Sequence, residues 1–308
     1  MNNGKPLLTT TDRRSKEKDT AGAPAARRFA VVTTSHAKGY ETYGRQMAET
    51  FAQYWPDDVS LLFYAEGFEV DVASPRILSR DLLQSCPDLI AFKARHAENK
   101  LAHGKSWRIR PRLRFNHYLR RPAIKGLRWG LGYRWDAVRF AHKSYAILHA
   151  ARHIDADVLI WVDADTRFFA PVTPEMLEGY VPEDCFVGCL RRISIHTETG
   201  FLAFNLRHPA TKAYMEGLDR LYTQDLLFQE YEYHDAYLFD VLRQRLERDG
   251  HRSHDIAEGA GAKAKHVLVN SPLGRFMDHM KGGRKETGSS SAADLVVDRG
   301  EEYWQKKD

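Results

Sequence analysis

The chain has 308 residues, 43% hydrophobic and 11% aromatic, with a formal net charge of +5. That composition excludes a disordered or fibrous chain and provides apolar surface for one large core or two smaller ones. No stretch approaches the roughly 18 to 20 apolar residues a membrane span requires, so no transmembrane segment is expected.

Residues 1–28 are polar and mixed in charge, with no apolar signal-peptide core, and read as a disordered leader. The pattern changes at residue 29. Residues 29–34 read as a first strand, 35–41 as a loop and 43–55 as a helix that Pro56 closes; 59–65 read as a second strand. Strand, helix, strand is the opening of an α/β domain with a mostly parallel central sheet flanked by helices.

A basic stretch follows. Fifteen Lys and Arg face only Glu98 and Asp136 between Lys93 and Lys143. Trp107, Phe115, Tyr118, Trp129, Tyr133 and Trp135 are interleaved with them. Arginine beside stackable rings suits an anionic partner, single-stranded or flipped-out nucleotides among them; a solvated basic surface has the same composition. Pro111, Pro122 and the Gly126, Gly130 and Gly132 cluster break long helices, so residues 93–136 read as an insertion of short helices and loops.

Residues 137–153 read as a helix with Arg139 and Lys143, four apart, on one face. Further strands are expected at 186–190, 200–206 and 267–270, and helices at 209–222 and 234–249. From 288 the chain reads as a flexible tail, with Tyr303 and Trp304 as the point where it would dock back. Three cysteines, Cys86, Cys185 and Cys189, do not form an even disulfide set. They indicate a reducing, cytoplasmic setting. One domain over residues 29–287 is the economical reading.

The chemistry concentrates at Val158-Leu159-Ile160-Trp161-Val162-Asp163-Ala164-Asp165, an apolar run ending in two carboxylates. Side chains at i and i+2 of a strand point the same way, so Asp163 and Asp165 can converge on one hard divalent cation. A bare Asp-x-Asp also fits a solvated strand end. Near the C-terminus lies His279-Met280-Lys281-Gly282-Gly283-Arg284-Lys285. A neutral imidazole is a suitable ligand for a Mn²⁺-like ion beside two carboxylates. Gly282 permits close backbone approach, and Lys285, with Lys281 and Arg284 near it, can meet phosphate oxygens.

Together the two motifs resemble the GT-A-type (Rossmann-like) nucleotide-sugar glycosyltransferases, most closely the glycogenin-like, family 8-like branch. The resemblance implies a metal-dependent transferase with a nucleotide-sugar donor, a UDP-sugar above all, and a divalent ion, Mn²⁺ or Mg²⁺. It assigns Asp163, Asp165 and His279 to the metal and Lys285 to the donor diphosphate. Glu198-Thr199-Gly200-Phe201 is similar to the family's strand lining the donor sugar, with Gly200 against the donor, and Asp235 falls where the family has an acidic residue beside the transferred sugar. The chain departs from the pattern after Lys285, where Glu286-Thr287 replaces Pro-Trp, and at Ala236, where a Gln is usual.

A sugar leaving a nucleoside diphosphate develops negative charge on its leaving group, which a metal, Lys285, Lys143 and Arg139 would offset. Asp235 or Glu198 would stabilise the oxocarbenium-like centre or take the acceptor proton. The first βα loop, residues 34–40, is the expected nucleotide site, with Thr34 at its start and Tyr40 stacked on the base.

The basic insertion points to a polyanionic acceptor, and a hydroxylated or hydroxymethylated base in DNA is the leading expectation. A glycan or lipid-linked acceptor is the alternative. Two other classes are weighed. Haloacid-dehalogenase-type phosphatases share the Asp-x-Asp strand end but place it near the N-terminus, with Thr or Val where this chain has Arg167. A non-catalytic nucleic-acid-binding protein would explain the charge, but no known binding module is present.

Overall fold

The computed structural model describes residues 1, 26–105, 132–193, 195–260 and 266–306, and backbone alone at 114–116, 121–123 and 131. The expected leader, for all but its last residues, and the side chains of Trp107, Phe115, Tyr118 and Trp129 lie outside the described residues.

The chain opens with strand β1 (Phe29–His36), a short helix α1 (Ala37–Gly39), a π-helical turn at Tyr40–Gly44 and α2 (Arg45–Tyr54). Strands β2 (Ser60–Glu66) and β3 (Ile77–Asp81) precede helices α3 (Leu82–Ser85) and α4 (Pro87–Arg95). The basic stretch contributes β4 (His103–Lys105), β5 (Arg114–Asn116), β6 (Arg121–Ala123) and β7 (Leu131–Asp136). Helix α5 (Ala137–His153) then leads into β8 (Val158–Val162), β9 (Thr166–Phe168) and α6 (Pro174–Tyr180). Next come β10 (Cys185–Leu190), β11 (Glu198–Asn205), α7 (Pro209–Thr223), α8 (Asp235–Arg248) and β12 (Arg252–Asp255). The described part ends with α9 (Val267–Asn270), β13 (Met277–His279), α10 (Arg284–Thr287) and α11 (Glu302–Gln305).

Seven strands form one sheet in the order β12-β10-β11-β8-β1-β2-β3. Only β11 runs against the others, so the sheet is mostly parallel, as the α/β expectation holds. Its central strands are apolar on both faces because both are covered. Val32, Leu159, Trp161, Leu202 and Phe204 meet the core under α4, α5, α7 and α8. Val31, Ile160, Val162, Phe201 and Ala203 meet a second core that takes in Met47 and Phe51 of α2 and Val267 and Leu268 of α9. The three cysteines are buried free thiols, and Cys185 and Cys189 lie on β10.

Three expectations change. Residues 267–270 form a helix, α9, with all four side chains buried; a run that short has no period to separate helix from strand. The described pieces of the basic stretch include two small antiparallel ladders, β4–β7 and β5–β6, where short helices and loops were expected. The span after 288 is packed against the domain. Trp304 is 3% exposed and its Nε1 donates to Gly274 O at 2.7 Å. Tyr303 stacks on Phe169 with ring centroids 4.0 Å apart, at the docking pair the sequence singles out.

Candidate active site

Strand order reverses between β8 and β1, and their register sets Val32 opposite Trp161, so their C-terminal ends lie side by side. Open α/β sheets bind ligands outside the carboxyl ends of strands at such a switch point. Strand β8 stops at Val162, and Asp163 and Asp165 sit in the turn beyond it, closed by Thr166 N donating to Asp163 O at 3.1 Å. Their shared direction therefore comes from a turn rather than from strand alternation. The turn feeds β9, whose antiparallel partner is β13, with His279 paired to Thr166. Met280 N donates to Asp165 O at 2.8 Å and extends that ladder. A two-stranded ribbon thus carries a histidine 114 residues away onto the Asp-x-Asp turn.

His279 is fully buried, and its Nε2 lies 3.1 Å from Asp165 Oδ1 and 3.5 Å from Asp163 Oδ2. Ligands at right angles around an ion with bonds near 2.1 Å are about 3.0 Å apart. The two carboxylates and one imidazole therefore fit an octahedral ion of the Mn²⁺ or Mg²⁺ type in both donor chemistry and spacing. Gly200 explains how the ring is held. A Cβ there would lie 2.5 Å from His279 Cε1 and 2.7 Å from Nδ1, so only glycine lets β11 pass behind the imidazole.

Lys143 of α5 supplies the opposite charge from below. Its Nζ donates to Thr199 O at 2.6 Å and Asp163 Oδ1 at 3.0 Å, and pairs with Asp235 Oδ2 at 2.7 Å. Trp161 Nε1 donates to Asp163 Oδ1 at 2.6 Å, and Thr199 Oγ1 donates to Asp235 Oδ2 at 2.7 Å. Lys285 Nζ reaches Asp165 Oδ2 at 2.8 Å and sits 4.7 Å above the Tyr43 ring.

These pairings decide the ionisation. Burial pushes the Asp163 carboxyl up, but Lys143 and His279 outweigh it and hold it far below the usual range. Burial likewise opposes ionisation at Asp165 and Asp235, and His279 and Lys143 respectively reverse it. Burial disfavours a charged His279, yet Asp165 and Asp163 raise it to about 10.

The remaining expected residues divide. Asp235, Lys143, Gly200 and Lys285 join the cluster, but Lys143 is 9% exposed and saturated by carboxylates and a carbonyl. It positions Asp163 and Asp235. Glu198 is 3% exposed and is held by Lys281 and by Arg192, 3.3 Å away. Burial raises its carboxyl, Lys281 and His279 outweigh that, and it falls to about 2. A carboxylate so held is weakly basic, which favours Asp235 over Glu198 for chemistry at the site. Arg284 is taken by Asp294, so neither it nor Lys281 stands by for phosphate as expected.

Thr34 Oγ1 donates to Tyr64 O at 2.8 Å, beside the switch point. Tyr40 is 3% exposed, packs on Phe68 and Phe63, and donates its hydroxyl to Asp71 at 2.5 Å. Its ring is core and has no face for a base. Arg139 lies one turn before Lys143 on α5 and is exposed. Gly282 has φ +60° with open space where a Cβ would go, so backbone conformation is what requires glycine there. Sequence reasoning missed Trp161, Thr199 and Tyr43. The first two lie inside motifs it quoted, and Tyr43 sits in the π turn, an irregularity frequent at functional sites.

No known family profile and no curated protein matches the chain. Solved structures to which the chain is similar include three glycosyltransferases. Mouse xyloside xylosyltransferase 1 is 9% identical over 74% of this chain and 84% of that one, with TM-score 0.42. Glycosyltransferase GlyE of Streptococcus pneumoniae TIGR4 is 11% identical over 75% of this chain, which spans 46% of GlyE, with TM-score 0.39. The galactosyltransferase LgtC, solved with donor and acceptor sugar analogues, is 15% identical over 69% of this chain and 70% of its own, with TM-score 0.37.

Proposed function

We propose that the chain is a GT-A-type glycosyltransferase that uses a divalent ion and a nucleoside-diphosphate sugar. The observation that carries this reading is the convergence of Asp163, Asp165 and His279 at the strand-order reversal of a mostly parallel sheet. Those three residues would hold the ion, which when bound supplies positive charge to a diphosphate. To serve as a ligand His279 would be neutral, with Nε2 free of its proton.

The other residues have distinct tasks. Lys285 has a partly exposed side chain on Asp165 and is within reach of the position a phosphate oxygen would take there. Asp235, fixed by Lys143 and Thr199, is ionised and weakly basic. It suits stabilisation of positive charge at the anomeric carbon better than proton removal. Thr34 at the end of β1 marks the nucleotide side, and exposed Arg139 the side nearer the basic stretch.

That stretch supports a polyanionic acceptor, with a hydroxylated or hydroxymethylated DNA base as the leading candidate and a glycan or lipid-linked acceptor as the alternative. The test is nucleotide release from a panel of UDP-sugars with Mn²⁺, with and without hydroxymethylcytosine DNA. Metal-dependent release that DNA accelerates is the expected result. Metal-dependent release indifferent to DNA would move the acceptor to a glycan or lipid. No release from any donor would overturn the transferase reading, and full activity in Asp165→Ala would overturn the metal assignment.

A further inference from the structure

A second constellation lies on the far side of Asp235. His196 precedes β11, and Glu232 and His234 lie just before α8. The Nε2 atoms of His196 and His234 approach the same oxygen, Glu232 Oε2, at 3.0 and 2.9 Å. The two rings meet edge to face with centroids 4.8 Å apart, so their nitrogens converge from different directions. Glu232 is 2% and His234 5% exposed, while the His196 side chain is 20% exposed. All three donor atoms lie within 4.8 Å of one another.

We propose that His196, Glu232 and His234 form a second cation site, selective for a zinc-class transition ion. Donor chemistry sets it apart from the first site. Two imidazoles and one carboxylate are a borderline-soft set that favours Zn²⁺ or Co²⁺, whereas two carboxylates and one imidazole favour Mn²⁺ or Mg²⁺. The separations of 2.9 and 3.0 Å are a few tenths below the roughly 3.3 Å edge of a tetrahedron with bonds near 2.0 Å. Small side-chain shifts would admit the ion in place of the two N–H···O contacts. Arg134 Nη1, 3.4 Å from Glu232 Oε1, occupies the other carboxylate oxygen and orients it, as outer partners of metal ligands do.

The placement gives the ion a role. Tyr233 N and His234 N both donate to Arg134 O, at 2.8 and 3.2 Å, and Trp135 Nε1 donates to Tyr231 O at 3.0 Å. An ion here would therefore tie three segments: β7 at the exit of the basic stretch, the approach to β11, and the start of α8. The residue after His234 is Asp235, so this clasp would fix the basic stretch relative to the carboxylate beside Lys143.

The test measures metal content of the full chain and needs no donor or acceptor. Protein equilibrated with Zn²⁺ or Mn²⁺ is dialysed and its bound metal counted by mass spectrometry, with Co²⁺ visible absorption as a second readout. The double variant Asp163→Ala/Asp165→Ala, which removes the first site, is expected to keep one tightly held Zn²⁺. His196→Ala and Glu232→Gln are expected to lose that ion and the Co²⁺ bands, while Mn²⁺ binding at the first site reports an intact fold. The proposal is overturned if the double variant holds no zinc, or if His196→Ala, with Mn²⁺ binding intact, keeps the zinc stoichiometry of the parent chain.

Discussion

Replacing Lys143 with methionine separates a charge holding the site together from one serving the substrate. Methionine fills the volume of the lysine stem, so little cavity is made and the change is nearly pure loss of charge. Lys143 Nζ lies 2.6 Å from Thr199 O, 2.7 Å from Asp235 Oδ2 and 3.0 Å from Asp163 Oδ1. Removing one partner of a buried ion pair costs about 3–5 kcal/mol because the other charge is left uncompensated. Here the lower end applies, since Asp163 keeps Trp161 and His279, and Asp235 keeps Thr199. A loss of about 3 kcal/mol lowers the midpoint of a domain of this size by roughly 5 °C. Thermal unfolding at neutral pH with chelator present measures it without interference from bound metal. Adding Asp235→Asn removes one stranded carboxylate, so the double variant should recover about 1 kcal/mol or more relative to additivity. A Lys143→Met variant that melts with the parent, or a strictly additive double variant, would refute the reasoning.

Four further outcomes follow from the geometry. Gly200→Ala forces a Cβ into the fully buried His279 ring, which should cost about 1–3 kcal/mol and weaken Mn²⁺ binding measured by calorimetry; unchanged affinity would show that the ring is free to move. Asp165→Ala and His279→Ala should each abolish metal-dependent turnover while circular dichroism stays that of the parent, and full activity in either would remove it from the metal site. Trp304→Ala should destabilise the chain by about 3–5 kcal/mol in denaturant unfolding if the C-terminal segment is packed, and by nothing measurable if it is a loose tail. Asp294 is held below its ordinary 3.8, first by Arg284 and also by the Ser291 amide. A depressed carboxylate stabilises the fold above its unfolded value and loses that contribution as pH falls through its folded one. The stability gap between the parent and Asp294→Asn should therefore be full above pH 3.8 and close below it; a gap that persists in acid contradicts the pairing.

Several elements are legible in the sequence because they are locally encoded. Helix α5 starts where Asp136 caps it, accepting from Arg139 N at 3.1 Å, and it spans the residues expected. Strands β1, β8, β10 and β11 read as apolar runs because both faces of the sheet are covered, and α2 ends beside Pro56. Elements that depend on a distant partner are not legible. Strand β3 has a mostly exposed, polar pattern and is a strand only because β2 offers an edge. Strands β9 and β13 are three residues each, too short to carry a period, and exist by pairing with each other. Residues 267–270 fail for the same reason in the opposite direction.

The site shows the same division. Asp163, Asp165 and His279 were legible as two short motifs, and it was their joint resemblance to the GT-A glycosyltransferases that assigned them together to a metal. Which groups remain available to a ligand was decided elsewhere. Glu198 is neutralised by Lys281 and Arg192, Lys143 is used up beneath Asp163 and Asp235, and Tyr40 is buried against Phe68. The sequence by itself determined the α/β sheet and the candidate ligand set at the end of its central strand, since burial pattern and donor chemistry are properties of individual residues. The tertiary structure alone decided which charges are spent on one another and which face outward, because pairing depends on distances between segments that no local pattern records.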